Sequence, residues 1–393
     1  MTDVLYLAWQ YIRFHRWKTT ILVLSVTLIM YLPVGLNVLV EQSARQLTAR
    51  ASATPLLVGA KGSPLELTLN SLYFDADTPA LTNAGEAETI RVSGLAKSIP
   101  LYVRFRVRNQ PIVGTTLEYF TYRGLQFAAG RQFAMIGEAV LGAHAARELG
   151  VSVGDSIISS PETVFDLAGV YPLKMQVVGI LEPVMTADDN AVFVDLKTSW
   201  IMQGLGHGHQ DLSAASAATS VIKNEGGEII ANAAVVQYNE ITPDNIDSFH
   251  FHGSNDDFPL TGIIAVPNDR KSGVLLLGRY TGDNKTSQIV QPETVVSDLL
   301  GTVFTVRQFV IFAVSIVGVA TFATTILVFL LSLRLRRRER LTLFKIGGAN
   351  LAITGVLLAE VISVVVLSAL LATGLTLATQ KFGADVIRLF ILI

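Results

Sequence analysis

The distribution of charge along the chain divides it into apolar and polar stretches of very different length. Thr19–Val40 holds no charged residue, Gln308–Leu333 holds none, and Leu351–Gln380 holds only Glu360. A helix needs about 20 predominantly apolar residues to cross the hydrocarbon core of a bilayer. The pattern therefore predicts three transmembrane helices over 19–40, 306–333 and 351–380. Residues 1–18 mix Trp9, Tyr11, Phe14 and Trp17 with Arg13, His15, Arg16 and Lys18, which predicts an amphipathic helix at the membrane surface. A cleaved signal peptide is the competing reading of this end, but its apolar core is normally only about 7–15 residues. The final segment, 381–393, is too short to span. It reads either as an end outside the membrane or as the start of a fourth helix.

Between the first and second apolar runs, residues 41–305 alternate on the shorter periods of an aqueous domain. They open with EQSARQLTARAS, a polar continuation of the first helix. Leu101–Val107 alternates apolar and polar residues with period two, the mark of a half-buried strand. Met175–Leu181, Ala191–Val194, Ala233–Tyr238, Ile263–Val266 and Gly273–Leu277 are also predicted as strands. Glu138–Leu149 is predicted as a helix and Gly150–Asp155 as the turn after it. Residues 204–228 are small and polar, and read as a loop or lightly structured insertion. With no regular strand–helix–strand rhythm, the expected class is α+β.

Charge sharpens this picture. The chain of 393 residues carries a net charge of −2, but the charge is segregated. Residues 41–306 hold 28 acidic against 18 basic side chains, whereas 334–350 hold six basic residues against Glu339. Basic residues beside the ends of apolar runs mark the cytoplasmic side, so the N-terminus and 334–350 are expected there and 41–305 outside. With 50 % hydrophobic residues and a mean hydropathy of +0.47, the composition suits a few spans plus a large aqueous domain. The absence of cysteine excludes disulfides and thiolate metal sites. Nucleic-acid binding has no support, because the basic residues are juxtamembrane.

Four groups of residues carry candidate chemistry. Within 334–350, an arginine cluster precedes Leu341, Leu343, Phe344 and Ile346 on an amphipathic helical stripe that stops at Gly347-Gly348. This is either a purely topogenic cluster or a surface helix on which a soluble motor could push. Glu360 lies about one-third of the way into its apolar run, where a carboxylate is costly unless it faces protein or water. Its expected role is a hydrogen bond to a neighbouring helix, with proton coupling the alternative. His207/His209 and His250/His252 are two pairs at one-residue spacing, which on a strand aims both rings of a pair to one side. Imidazoles so placed are candidate ligands for zinc or copper, against the plainer reading of solvated loop histidines. Arg104, Arg106 and Arg108 stripe one strand face, as a solvated edge or a contact for an acidic partner. No GxxxxGK[ST] motif occurs, so these residues cannot cradle ATP by that means, and no Ser/His/Asp or paired-carboxylate arrangement stands out.

Taken together, these motifs resemble the MacB/FtsX family of ABC-transporter permeases, the type VII or mechanotransmission fold. Members have one N-terminal span, a large extracytoplasmic domain and three further spans, with a basic loop between the second and third. The loop's pattern is matched here by Arg336, Arg337, Arg338 and Glu339, then Leu343, Phe344, Lys345 and Gly348-Ala349. Glu360 matches a glutamate early in the family's third span. In the aqueous domain the resemblance lies in Gly130–Arg131, Ile136–Val140, Leu149–Gly150, Val153–Asp155 and Val177–Leu181. The fourth span of the family pattern has no counterpart, and residues 200–300 match none of its features.

The resemblance implies a multi-pass protein of the bacterial inner membrane with a periplasmic domain. Residues 334–350 would be the coupling helix against a cytoplasmic ABC ATPase subunit that holds ATP and magnesium. A second permease chain would complete the complex, as a homo- or heterodimer, and no cofactor is expected in this chain apart from zinc at the histidines. Three functions stay open: export or extraction of a substrate, aided by a periplasmic adaptor; mechanical activation of a periplasmic cell-wall hydrolase without transport; and a part in periplasmic zinc handling.

Overall fold

The computed structural model describes the chain outside residues 1–5, 7–8, 11, 15, 76, 161–171, 210–220, 226–227, 232–237, 283–285, 336–349 and 392–393. Two compact units emerge. One comprises Met1–Leu47 and Asp298–Ile393, the other Thr48–Ser297.

The second unit is built on a ten-stranded mixed sheet. In spatial order its strands are Ser287–Val290, Leu56–Ala60, Gly262–Pro267, Ala96–Val107, Gln110–Thr115, Val192–Asp195, Glu138–Leu141 and Lys174–Leu181. Two short strands share the outer edge of the last: Ser156–Ile158 pairs with Lys174–Gln176, and Phe127–Gly130 with Gly179–Leu181. All pairings in this sheet are antiparallel except Gln110–Thr115 with Val192–Asp195 and Glu138–Leu141 with Lys174–Leu181.

Both faces of the sheet are buried. Period-two alternation sends Leu56, Val58, Tyr102, Ile112, Val192 and Ile263 into one core, and Leu57, Leu101, Val103, Val113, Phe193 and Ile264 into another. Helices Ala84–Val92, Ala143–Leu149, Leu196–Met202 and Arg270–Arg279 cover the first core through Ile90, Ala146, Trp200 and Leu276. Helices Pro64–Tyr73 and Glu118–Arg123 cover the second through Leu67, Leu72, Tyr119 and Phe120. Two of these helices start where a side chain satisfies a free N–H group of the first turn. Ser63 accepts from the Glu66 N–H, with Pro64 opening the helix, and Asn83 accepts from the Glu86 N–H. The result is a mixed α/β domain with helices on both faces of the sheet.

Local sequence signals misplaced two elements. Gly273–Leu277, predicted as a strand, lies within the helix Arg270–Arg279. A run of four apolar residues fits either element; here Asp269 caps the helix by accepting from the Ser272 N–H at 2.7 Å, and Val274 and Leu275 stay exposed. Glu138–Leu149, predicted as one helix, divides into the strand Glu138–Leu141 and the helix Ala143–Leu149. All four strand residues are buried between two neighbouring strands, so continuous burial rather than a helical stripe shaped their sequence. The segment 204–228, read as a loop or lightly structured insertion, contains the short strands Gly206–Gly208 and Val221–Glu225, the latter paired with Glu228–Ala231. Most of the predicted strand Ala233–Tyr238 lies outside the described residues.

The first unit contains the apolar portions of three long helices, Arg16–Ser52, Pro292–Leu335 and Asn350–Ile391. Each carries a segment long and apolar enough to cross a membrane. Residues 381–391 continue the last helix instead of forming a separate segment. The first and last helices are joined through small polar groups: Ser368 donates to the Val23 carbonyl at 3.1 Å, and the Tyr31 and Thr379 hydroxyls lie 2.7 Å apart. Such groups allow close approach where no difference in hydrophobicity draws helices together.

Candidate functional site

The histidines converge. Gly206–Gly208 pairs antiparallel with Phe249–Phe251, with Gly206 opposite Phe251, His207 opposite His250 and Gly208 opposite Phe249. The His252 N–H bonds the Leu205 carbonyl and extends the ladder. Because side chains alternate across a strand, His207, His209, His250 and His252 fall on one face of this ribbon and the two phenylalanines on the other. A Cβ added to Gly206 would meet the Phe251 ring at 2.7 Å, and one on Gly208 the Phe249 ring at 2.6 Å. The glycines are thus the space into which the rings fold. Both rings pack on the first core, Phe251 against Phe258, which in turn meets Trp200 edge-on. The apolar face anchors the ribbon; on the other face His207 and His209 are half-buried and His250 and His252 exposed.

On that face the ring centroids of His207 lie 4.8 Å from His250, 4.9 Å from His252 and 5.8 Å from His209. One nitrogen from each of His207, His209 and His250 falls within a mutual 4.8 Å. Partial burial, reinforced by the neighbouring His250, His252 and His209, lowers the pKa of His207. That favours the neutral ring, whose free lone pair is what a metal requires. The His250 Nδ1 is 3.1 Å from the Ser248 carbonyl. Asp256 and Asp257 remain outside the cluster, on a 3-10 turn whose Asp256 backbone packs near Gly85. Among the described residues, the donors gathered here are imidazoles alone.

A second constellation has no precursor among the sequence motifs. Arg50, near the end of the helix Arg16–Ser52, is buried. Its guanidinium donates to both carboxylate oxygens of Asp188 at 2.6 and 3.0 Å, to the Tyr119 hydroxyl at 2.9 Å, and through Nε to the Leu72 carbonyl. It also lies 5.4 Å from the centroid of the Phe74 ring. Tyr119 and Thr186 each donate a hydroxyl to Asp188. Burial works to raise the pKa of Asp188, but the Arg50 charge and these hydrogen bonds prevail and hold it below the ordinary carboxylate range. The only local hint was a lone arginine in the small-residue run Ala49–Ala53, where a guanidinium can sink between helix and sheet.

The remaining sites divide. Glu360 is buried within its helix. Arg106 donates to the Asn109 carbonyl in the turn after its strand, and Arg104 lies over the Phe105 ring. The predicted coupling residues Arg336, Arg337, Arg338, Glu339, Leu343, Phe344, Lys345, Gly348 and Ala349 lie outside the described residues.

A two-faced α/β domain inserted between long apolar helices defines a class, membrane proteins with a periplasmic-type domain. The sequence model of the MacB-like periplasmic core domain matches residues 19–222, just over half of the chain. The chain belongs to the MacB/FtsX-like family of ABC transporter permeases. Among solved structures, it is similar to the extracellular domain of the noncanonic ABC-type transporter YknZ from Gram-positive bacteria. The identity is 13 %, with 60 % of this chain and 98 % of that one covered, at a TM-score of 0.31. For the periplasmic region of MacB from Actinobacillus actinomycetemcomitans the identity is 12 %, the coverages 63 % and 92 %, and the TM-score 0.32. Among curated protein sequences, none matches. The family assignment rests on the sequence model.

Proposed function

We propose that this permease couples ATP hydrolysis on a separate cytoplasmic ATPase subunit to movement of its periplasmic domain, in the bacterial inner membrane and paired with a second permease chain. The observation that carries the reading is the unbroken helix Arg16–Ser52, which begins beside the N-terminal basic residues and ends in the buried Arg50–Asp188 pair. At 1.5 Å per residue its 37 residues extend about 55 Å, against about 30 Å of hydrocarbon core. About 25 Å of the helix, nearly half, therefore extends past the core, most of it available as a lever. Pro292–Leu335, 44 residues long, supplies a second continuous helix. An axial push or tilt passes along a hydrogen-bonded helix, and a buried bidentate ion pair at its end resists slippage.

In this reading Arg336, Arg337, Arg338, Glu339, Leu343, Phe344, Lys345, Gly348 and Ala349 form the surface against the ATPase, and Glu360 holds a neighbouring helix. The work is done on something already outside the membrane, as export or extraction.

Affinity purification of the tagged protein from native membranes, with partners identified by mass spectrometry, tests the proposal. An ABC ATPase should co-purify, and its yield should drop severalfold when Arg336, Arg337 and Arg338 are replaced by alanine. Recovery of the intact permease without any ATPase overturns the reading. The third partner then separates transport, marked by an adaptor or outer-membrane channel, from activation of a cell-wall hydrolase.

A further inference from the structure

We propose that His207, His209 and His250, with His252 beside them, form a binding site for a divalent first-row transition ion of the zinc class. Three independent features converge on it. The first is donor chemistry: imidazoles suit zinc, copper and nickel and are poor ligands for calcium or magnesium. The second is geometry. Nitrogens bound to one tetrahedral ion at about 2.0–2.1 Å lie about 3.3 Å apart. The three donors already lie within 4.8 Å, so small rotations of exposed or half-buried rings close the remaining distance without moving backbone. The third is construction: the glycine–phenylalanine face fixes the ribbon to the core and holds four imidazoles together on the other side.

The placement in the chain gives binding a consequence. His207 and His209 lie on one arm of the two-stranded ribbon, and His250 and His252 lie on the other, more than 40 residues later in the chain. The ribbon joining them has only three residues in each strand. A bound ion would cross-link the two strands. Metal would then stabilise the ribbon selectively, because the separate ten-stranded sheet is held by its own ladder and cores. This inference is independent of the ATPase pairing: the site can fail with the permease reading intact, and the reverse.

The test uses the full-length protein in detergent, with any affinity tag removed, dialysed against zinc and then against a competing chelator. One zinc ion per chain is expected to resist dialysis. His207→Ala should weaken binding the most, since its ring is nearest the others. The expected loss exceeds about 100-fold, the upper range for residues that only support a metal ligand. His252→Ala should have the smallest effect. Cobalt should give the intense visible bands of a four-coordinate ion.

Melting without metal, expected to be the same for wild type and variants, controls for folding. X-ray absorption at the zinc edge of the wild-type protein needs no variant and should show at least three imidazole nitrogens at about 2.0–2.1 Å. Sub-stoichiometric binding, unchanged affinity in a quadruple His→Ala variant, or fewer than two imidazoles in the zinc shell overturns the proposal.

Discussion

Replacing Arg50 by methionine tests the anchor of the first helix most directly. Methionine preserves much of the stem's volume and removes the charge and all four donated hydrogen bonds. Asp188, whose side chain is 2 % exposed, then keeps the hydroxyls of Tyr119 and Thr186 but has lost its cation. Breaking a buried pair from one side costs about 3–5 kcal/mol, mostly the penalty of the stranded charge. In a domain of this size 1 kcal/mol moves the melting temperature by about 2–4 °C, so a fall of about 6–20 °C is expected.

Trp200 is a suitable reporter. It is buried in the domain with its indole N–H on the Pro259 carbonyl, and the other two tryptophans, Trp9 and Trp17, can be replaced by phenylalanine. The pH dependence supplies a sharper signature. In the wild type the depressed pKa of Asp188 adds stability above about pH 3.9, lost as pH falls through the folded value. Without Arg50, burial raises that pKa above the unfolded value. The variant's Asp188 is then tolerated below about pH 3.9 and becomes a liability as pH rises through its new pKa. The gap between wild type and variant should therefore widen from pH 4 to pH 7. Adding Asp188→Leu should recover part of the loss, because no charge is then stranded. An Arg50→Met protein melting within about 2 °C of wild type at pH 7 would refute the reasoning.

Two further substitutions probe the domain. Glu138→Gln removes a carboxylate that accepts from Arg131 and from the N–H groups of Ala134 and Met135. Burial opposes its ionisation, but these partners hold its pKa below the usual range. A loss of about 1–3 kcal/mol is expected at pH 7, closing as pH falls below about 4, and a pH-independent difference in melting would count against the assignment. Gly208→Ala places a methyl group against the Phe249 ring and should destabilise the ribbon by about 1–3 kcal/mol, read as faster amide exchange at Phe249–Phe251. Unchanged exchange there would mean the ring is not seated on the glycine.

The sequence by itself determined the features that depend on one segment meeting one solvent. Apolar runs of more than 20 residues with at most one charge must satisfy their backbone internally, so Thr19–Val40, Gln308–Leu333 and Leu351–Gln380 announced long apolar helices. Alternation along Leu101–Val107 and the apolar run in Met175–Leu181 announced strands, and the longer strands Ala96–Val107 and Lys174–Leu181 contain them. The short motifs that carry the family resemblance were legible for the same reason, since each is contiguous. Spacing also placed His207 with His209, and His250 with His252, on common strand faces.

Tertiary structure decided what depends on residues far apart in the chain. Whether VLLL in Gly273–Leu277 is strand or helix was settled by packing, which buries only Leu276 fully, in the first core. Burial between two strands turned Glu138–Leu141 away from the helical form that its neighbours adopt. The union of the two histidine pairs needed the antiparallel register that sets His207 opposite His250, across more than 40 residues of sequence. Arg50 found Asp188 across 138 residues. Local patterns reflect the solvent each segment meets; partnership between distant polar groups follows from packing, which only the folded chain provides.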